Sequence, residues 1–153
     1  MIATLNFQLT GQRALVTAGA QGIGLAITEA FLQQGAEVYI CDIDRTALDQ
    51  TKSKYPQVHI SHTDVGNESQ VLAMFADIQQ RFGQLDILVN NAGIAGPTAA
   101  IEDTILAEWQ QTLDVNLTGA FLCTRSAVPL IKKANGGSIV NISSAAGRHG
   151  FPL

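Results

Sequence analysis

The chain has little of several things that would have assigned it elsewhere. Only two cysteines, Cys41 and Cys123, occur among 153 residues, well separated and outside any C-x-x-C pair. That spacing excludes a disulfide framework and predicts two buried thiols behaving as small hydrophobes in a reducing, cytoplasmic setting. The three histidines, His59, His62 and His149, show no ligand spacing with the cysteines, so no metal site is expected. Charged residues make up only 14% of the chain, 9 basic against 13 acidic, for a net charge of −4. The basic residues are scattered, whereas a nucleic-acid or anionic-membrane partner needs them clustered on one face. No apolar run approaches the about 18 uninterrupted residues of a membrane span, and Met1 to Thr10 lacks a basic segment followed by an apolar one. Internal repeats, low-complexity tracts and interdomain linkers are missing too, leaving a single domain over 1–153 as the expectation.

What is abundant is apolar: 46% of residues are hydrophobic and the mean hydropathy is +0.17. A chain of this length and polarity suits strands buried on both faces. Ala14-Leu15-Val16 predicts a first strand, followed by a glycine-rich turn and a helix carrying Ile23, Ile27, Ala30 and Phe31 at helical spacing up to Gly35. Ala36 to Ile40 gives a second strand, Asp44 a cap for a helix to about Tyr55, and Val58 to Ile60 a third strand. Asn67 with Gln70 resembles a capping box ahead of the stripe Val71, Phe75, Ile78 and Phe82, which ends at Gly83. Leu85 to Val89 is a fourth strand, and Asn90 to Ala100 a loop. A long helix is expected from about Thr104 to Lys133, its apolar side formed by Trp109, Leu113, Leu117, Phe121 and the Val128-Leu130-Ile131 group. Gly119 and Pro129 predict a break or kink in it. Asn135-Gly136-Gly137 stops it before a fifth strand, Ser138 to Ile142. Strands alternating with helices throughout imply a parallel sheet covered on both faces.

The turn Thr17-Ala18-Gly19-Ala20-Gln21-Gly22-Ile23-Gly24 falls where a dinucleotide pyrophosphate would rest on a helix N-terminus. Its glycines are spaced Gly19-x-x-Gly22-x-Gly24, which differs from the G-x-G-x-x-G template and is a weak signal alone. Roughly 20 residues on, Asp42 follows the second strand, where a carboxylate would accept from the adenosine ribose hydroxyls. A solvated strand-end carboxylate is the plainer reading of Asp42, and Asp44 could take its role.

Several separated motifs together resemble the short-chain dehydrogenase/reductase family over essentially the whole chain. Thr17 to Gly24 resembles T-G-x-x-x-G-x-G, Asp64-Val65 its adenine contact, and Asn90-Asn91-Ala92-Gly93 its N-N-A-G motif. Asn116 resembles its helix asparagine, and Ser144, after Ile142-Ser143, its catalytic serine. The resemblance implies an α/β, Rossmann-like doubly wound parallel sheet of order 3-2-1-4-5, truncated after the fifth strand. It implies an oxidoreductase interconverting a secondary alcohol and a ketone with NAD, and a homo-oligomer when intact. Gly22, Ile23 and Gly24 would contact the pyrophosphate through backbone, with Gly19 shaping the turn. Asn90, Ala92 and Gly93 would line the ribose side, while Asn91 could be either a contact or a turn-stabilising amide. Gln21 is neutral where NADP enzymes often place a basic residue, and Asp42 would repel a 2′-phosphate, so NADP is the less favoured cofactor. Ser144 would orient the substrate carbonyl or alcohol, although a serine there is often only a helix cap. Asn116 would hold a water in a proton relay, or simply kink its helix.

Two departures matter. Ala18 stands where the family usually has its first glycine, and its methyl is tolerable if the residue keeps a strand-like φ. The family's acid–base motif, Tyr-x-x-x-Lys, is expected about a dozen residues beyond the serine, and neither Tyr39 nor Tyr55 is followed by lysine four positions later. The sequence is therefore expected to be the N-terminal portion of such an enzyme, inactive by itself. The alternative is a non-catalytic module binding a dinucleotide or a partner. His149 and Phe151 would give the pocket mouth a part polar, part aromatic character.

Overall fold

The computed structural model describes residues 8–147, so the expectations for the first residues and for His149 and Phe151 lie outside the described residues. Five parallel strands, β1 (Arg13–Thr17), β2 (Glu37–Asp42), β3 (His59–His62), β4 (Ile87–Asn90) and β5 (Ser138–Asn141), lie in the order β3-β2-β1-β4-β5. Helices α1 (Gly22–Gln33), α2 (Arg45–Lys54), α3 (Glu68–Phe82), α4 (Leu106–Leu113) and α5 (Gly119–Lys133) connect them. The central strands show why the hydrophobic runs are continuous. Leu15, Tyr39 and Leu88 face one core with Val71, Met74, Ile78, Cys123 and Ala127. Val16, Val38, Ile40 and Val89 face a second with Ala47, Leu48, Ile27 and Phe31. β1, β2 and β4 bury both of their faces, so alternation with polar residues disappears there.

Local signals explain the helix ends. Asp44 caps α2 by accepting from the Ala47 amide at 3.0 Å, and Asn67 caps α3 by accepting from the Gln70 amide at 3.2 Å. The return arm of the expected capping box goes elsewhere: Gln70 Oε1 accepts from the Asp64 amide at 2.9 Å. Gly35 and Gly83 take left-handed φ of 85° and 72° after α1 and α3, the conformation that ends a helix most easily without a Cβ.

The long helix differs from expectation. It starts at Leu106, after a 3₁₀ turn at Ile101–Asp103, and its irregularity is a wider π turn at Asp114–Thr118, ahead of Gly119. The side facing the sheet differs in part: Leu130 and Ile131 pack on the core as expected, but the earlier turns of the expected stripe do not. Leu122, Cys123, Ala127 and Leu130 are buried, whereas Trp109, Leu117 and Phe121 are more than half or half exposed, at 50%, 65% and 56%. Helical spacing marks an apolar face without saying what covers it, and here Trp109 is on the surface.

Because β2 and β3 extend to one side of β1 and β4 and β5 to the other, the chain reverses direction across the sheet between β1 and β4. The strand-end crevice at that reversal is where an open α/β sheet leaves room for a ligand.

Candidate functional site

The loop between β1 and α1 turns its carbonyls inward. The Asn91 side-chain amide donates to the carbonyls of Thr17 and Ala18 at 2.9 and 3.1 Å. The hydroxyls of Thr28 and Thr51 donate to those of Gly19 and Ala20, both at 3.1 Å. Four successive acceptor oxygens are thus occupied from within the protein. The helix that follows opens on Gln21, which makes no side-chain cap, in contrast to α2 and α3. The first-turn N–H groups of an α-helix have no partner within it and carry its positive dipole end. A loop with its oxygens bound inside and an uncapped helix start beside it is suited to an anion.

The glycines divide the labour. Gly22 has φ of 54°, and a Cβ there would meet nothing within 4 Å, so its freedom serves the turn beside open space. Gly24 is needed for contact: a Cβ would sit 1.9 Å from the Ala18 carbonyl oxygen. Gly19 does not line the cleft. It is buried against β2, where a Cβ would lie 2.7 Å from Ile40 Cγ2, so its work is packing. Ala18 does not keep the strand-like φ expected of it. It takes φ of 49°, in the left-handed region where alanine is strained, because the chain must reverse there whatever the side chain.

Thr17 links this loop to the one after β4. Its buried hydroxyl accepts from the amides of Asn91 and Ala92, both at 2.9 Å. Asn91 therefore acts as the turn-stabilising amide. The expectation for the Asn90 side chain is corrected: it is buried and points away from the cleft, its Nδ2 donating to Asn141 Oδ1 at 2.8 Å and to Thr124 Oγ1 at 3.1 Å. It joins β4 to β5 and α5, leaving its own Oδ1 buried without a partner.

Gln21, Asp42, Asp64, Val65, Ala92 and Gly93 line one cleft of ≈ 320 Å³ at the β1–α1 end. Asp42, at the carboxyl end of β2, is held by amides of Ala20 at 3.3 Å and Asp44 at 3.1 Å. Asp64 Oδ1 accepts from the Gly66 amide at 2.9 Å. Gly22 and Ile23 are exposed beside the loop. Sequence reasoning missed Thr63, Gln111 and Val115, which share this wall. Gln111 and Val115 are four apart, on the helical face next to Asn116, and that spacing was the available signal.

A second cleft of ≈ 500 Å³ shares Ala92, Gly93 and Ile94 with the first and is lined further by Asn116, Ile142, Ser143 and Ser144. The structure thus brings Asn116 and Ser144 to one place. Asn116 Nδ2 donates to the Ile94 carbonyl and its Oδ1 accepts from the Ile94 amide, both at 2.8 Å. The irregular helix is tied by this long-range pair. Ser144 Oγ accepts from the Ala146 amide at 3.2 Å, as a cap would, and stays exposed. Neither tyrosine is near: the Tyr39 hydroxyl donates to Asp77 at 2.8 Å and that of Tyr55 to Glu29 at 2.6 Å. Among the described residues no group of His, Cys, Asp and Glu could hold a metal ion. Burial pushes the Cys123 thiol up to about 12 and raises Cys41 as well, so neither is a nucleophile.

This is an α/β fold with a glycine-rich loop whose carbonyls are bound inside, a buried carboxylate one strand away and polar groups across the crevice. Residues 12–153 match the family profile described as short chain dehydrogenase. The chain is 34% identical over 142 residues to the 2-dehydro-3-deoxy-L-rhamnonate dehydrogenase (NAD(+)) of Sphingomonas sp. strain SKA58, covering 93% of this chain and 57% of that protein. It is 42% identical over 147 residues to the 3-alpha-(or 20-beta)-hydroxysteroid dehydrogenase of Mycobacterium tuberculosis H37Rv, covering 95% and 56%. The structure of NAD+-bound xylitol dehydrogenase superposes with a TM-score of 0.89 at 30% identity, over 95% of this chain and 57% of that one. A short-chain dehydrogenase from Streptomyces avermitilis gives 0.86 at 32%, over 93% and 52%. The protein belongs to the short-chain dehydrogenase/reductase family, and the chain spans about half the length of the curated relatives it matches.

Proposed function

We propose that this chain is the dinucleotide-binding portion of an NAD-dependent oxidoreductase that interconverts a secondary alcohol and a ketone. The observation that carries the reading is the β1–α1 loop, with four carbonyls bound inside the protein beside an uncapped helix start. Open space at Gly22 leaves room for a pyrophosphate there. Gly22, Ile23 and Gly24 offer backbone N–H groups to the phosphates; Asp42 takes the adenosine ribose; Gln21, Asp64 and Val65 form the rest of that wall; Ala92 and Gly93 admit the second ribose by their small size. When bound, the nicotinamide supplies or accepts the hydride. Ser144 holds the substrate oxygen and Asn116 fixes the wall at Ile94. Since Tyr39 and Tyr55 are bonded elsewhere, these 153 residues by themselves bind and orient without turning over an alcohol. The reading as a purely binding module is less well supported, because Ser144 and Asn116 meet in a cleft that nucleotide binding alone does not need. A homo-oligomer and a cytoplasmic setting belong to the same proposal. Exposed apolar residues on α4 and α5 support the first and two unpaired buried thiols the second.

Titration calorimetry with NADH and NADPH tests the reading. The wild type binds NADH more tightly, and the double substitution Asp42→Ala, Ile43→Arg reverses the order by replacing a repelling carboxylate with a cation. A wild type that prefers NADPH would overturn the cofactor assignment.

A further inference from the structure

The ladder between β2 and β3 ends where Asp42 lies in register with His62. One more backbone bond follows, from the Thr63 amide to the Asp42 carbonyl at 3.0 Å. The next carbonyl along β2, that of Ile43, lies past the last strand pair and is met by a side chain: His62 Nε2 is 3.0 Å from the Ile43 oxygen. A carbonyl only accepts, so the ring presents Nε2–H there. From the other side the same turn is held by Asp42, whose two carboxylate oxygens accept from the amides of Asp44 and Ala20. Ile43 sits between these fixed points with its side chain 66% exposed on the wall of the first cleft, in company with Thr63, Val65 and Val115. An apolar side chain kept in solvent at a cleft mouth gains by covering a flat apolar ligand face, provided its backbone stays in place.

We infer that His62 is a positioning residue for the adenosine half of the dinucleotide. By holding the Ile43 carbonyl it keeps the Ile43 side chain over the cleft and the Asp42 carboxylate facing the ribose. The inference rests on the proposed function and adds to it a residue that lies outside every motif of the sequence.

Calorimetry on the protein with NADH and AMP as probes tests it, beside thermal melts of each variant. His62→Ala weakens both ligands by the same factor, about threefold to tenfold, the effect of one hydrogen bond, while the melting temperature stays within a few degrees. His62→Gln, whose side-chain amide also donates, recovers most of the affinity for both. Unchanged affinity in His62→Ala, a loss for NADH without one for AMP, or a His62→Gln as weak as His62→Ala would each overturn the inference while leaving the nucleotide site standing. A wild type that binds neither probe would overturn the nucleotide site, and this inference with it.

Discussion

Ala18 is the residue at which sequence and structure disagree most usefully. Its left-handed φ of 49° costs an L-residue with a Cβ about 1–2 kcal/mol, and its neighbours impose it: Asn91 holds its carbonyl, and α1 packs against that carbonyl at Gly24. Glycine would relieve the strain but adds chain entropy of about 0.5–1 kcal/mol to the unfolded state. The net gain expected for Ala18→Gly is roughly 0.5–1 kcal/mol, seen as a rise of about 1–4 °C in melting temperature. No change, or a fall, would show that the turn tolerates the methyl. Asp42 and Gln21 fall on the wall of the first cleft because β1 and β2 pair in parallel and bring the strand ends together, an arrangement the alternation of strands and helices already implied. The place of Asn90 was not legible, since only the fold reveals that Asn141 and Thr124 stand across from its amide.

Among the elements, the strands and the first three helices follow from hydrophobic period and capping residues, with ends shifted by a residue or two. The π turn at Asp114–Thr118 could not be read, because the bond it accommodates joins Asn116 to Ile94, 22 residues away. Nor could the direction of the α4–α5 apolar stripe, which depends on what lies beside it. The packing of β3 on α3 makes a titrating joint of two elements. His59 stacks on Tyr39 at 6.2 Å and meets Phe82 edge-on at 5.4 Å. Burial first, then the charges of Arg81 and Lys52, hold its imidazole below the ordinary 6.5, against an opposing pull from Asp77 and Glu37. The unfolded chain takes up this proton more readily, so the contribution is complete above that ordinary value and is lost as pH falls through it towards the lowered one. Thermal melts between about pH 7 and pH 5 should show declining stability, with a shallower slope in His59→Gln. Equal slopes would remove His59 from the account.

At the scale of the whole molecule the surface is uneven. Leu106 and Trp109 on α4, Leu117 in the π turn and Phe121 on α5 leave an apolar ridge in solvent, and Ile139 and Val140 of the edge strand β5 are exposed as well. Exposed apolar side chains and an exposed strand favour association. Sedimentation velocity should find the protein self-associated at micromolar concentration, and Trp109→Glu with Phe121→Lys should shift it towards monomer. A wild type that sediments as a monomer at all concentrations would show that the ridge is tolerated alone.

The hydroxyl of Thr17 gives the two clefts a common hinge pin. It sits at the end of β1, where the chain enters the glycine-rich turn, yet the amides it receives belong to Asn91 and Ala92, and Ala92 is on the wall of both clefts. The end of β1 and the wall shared by both clefts are thus fixed to one another through a single oxygen atom.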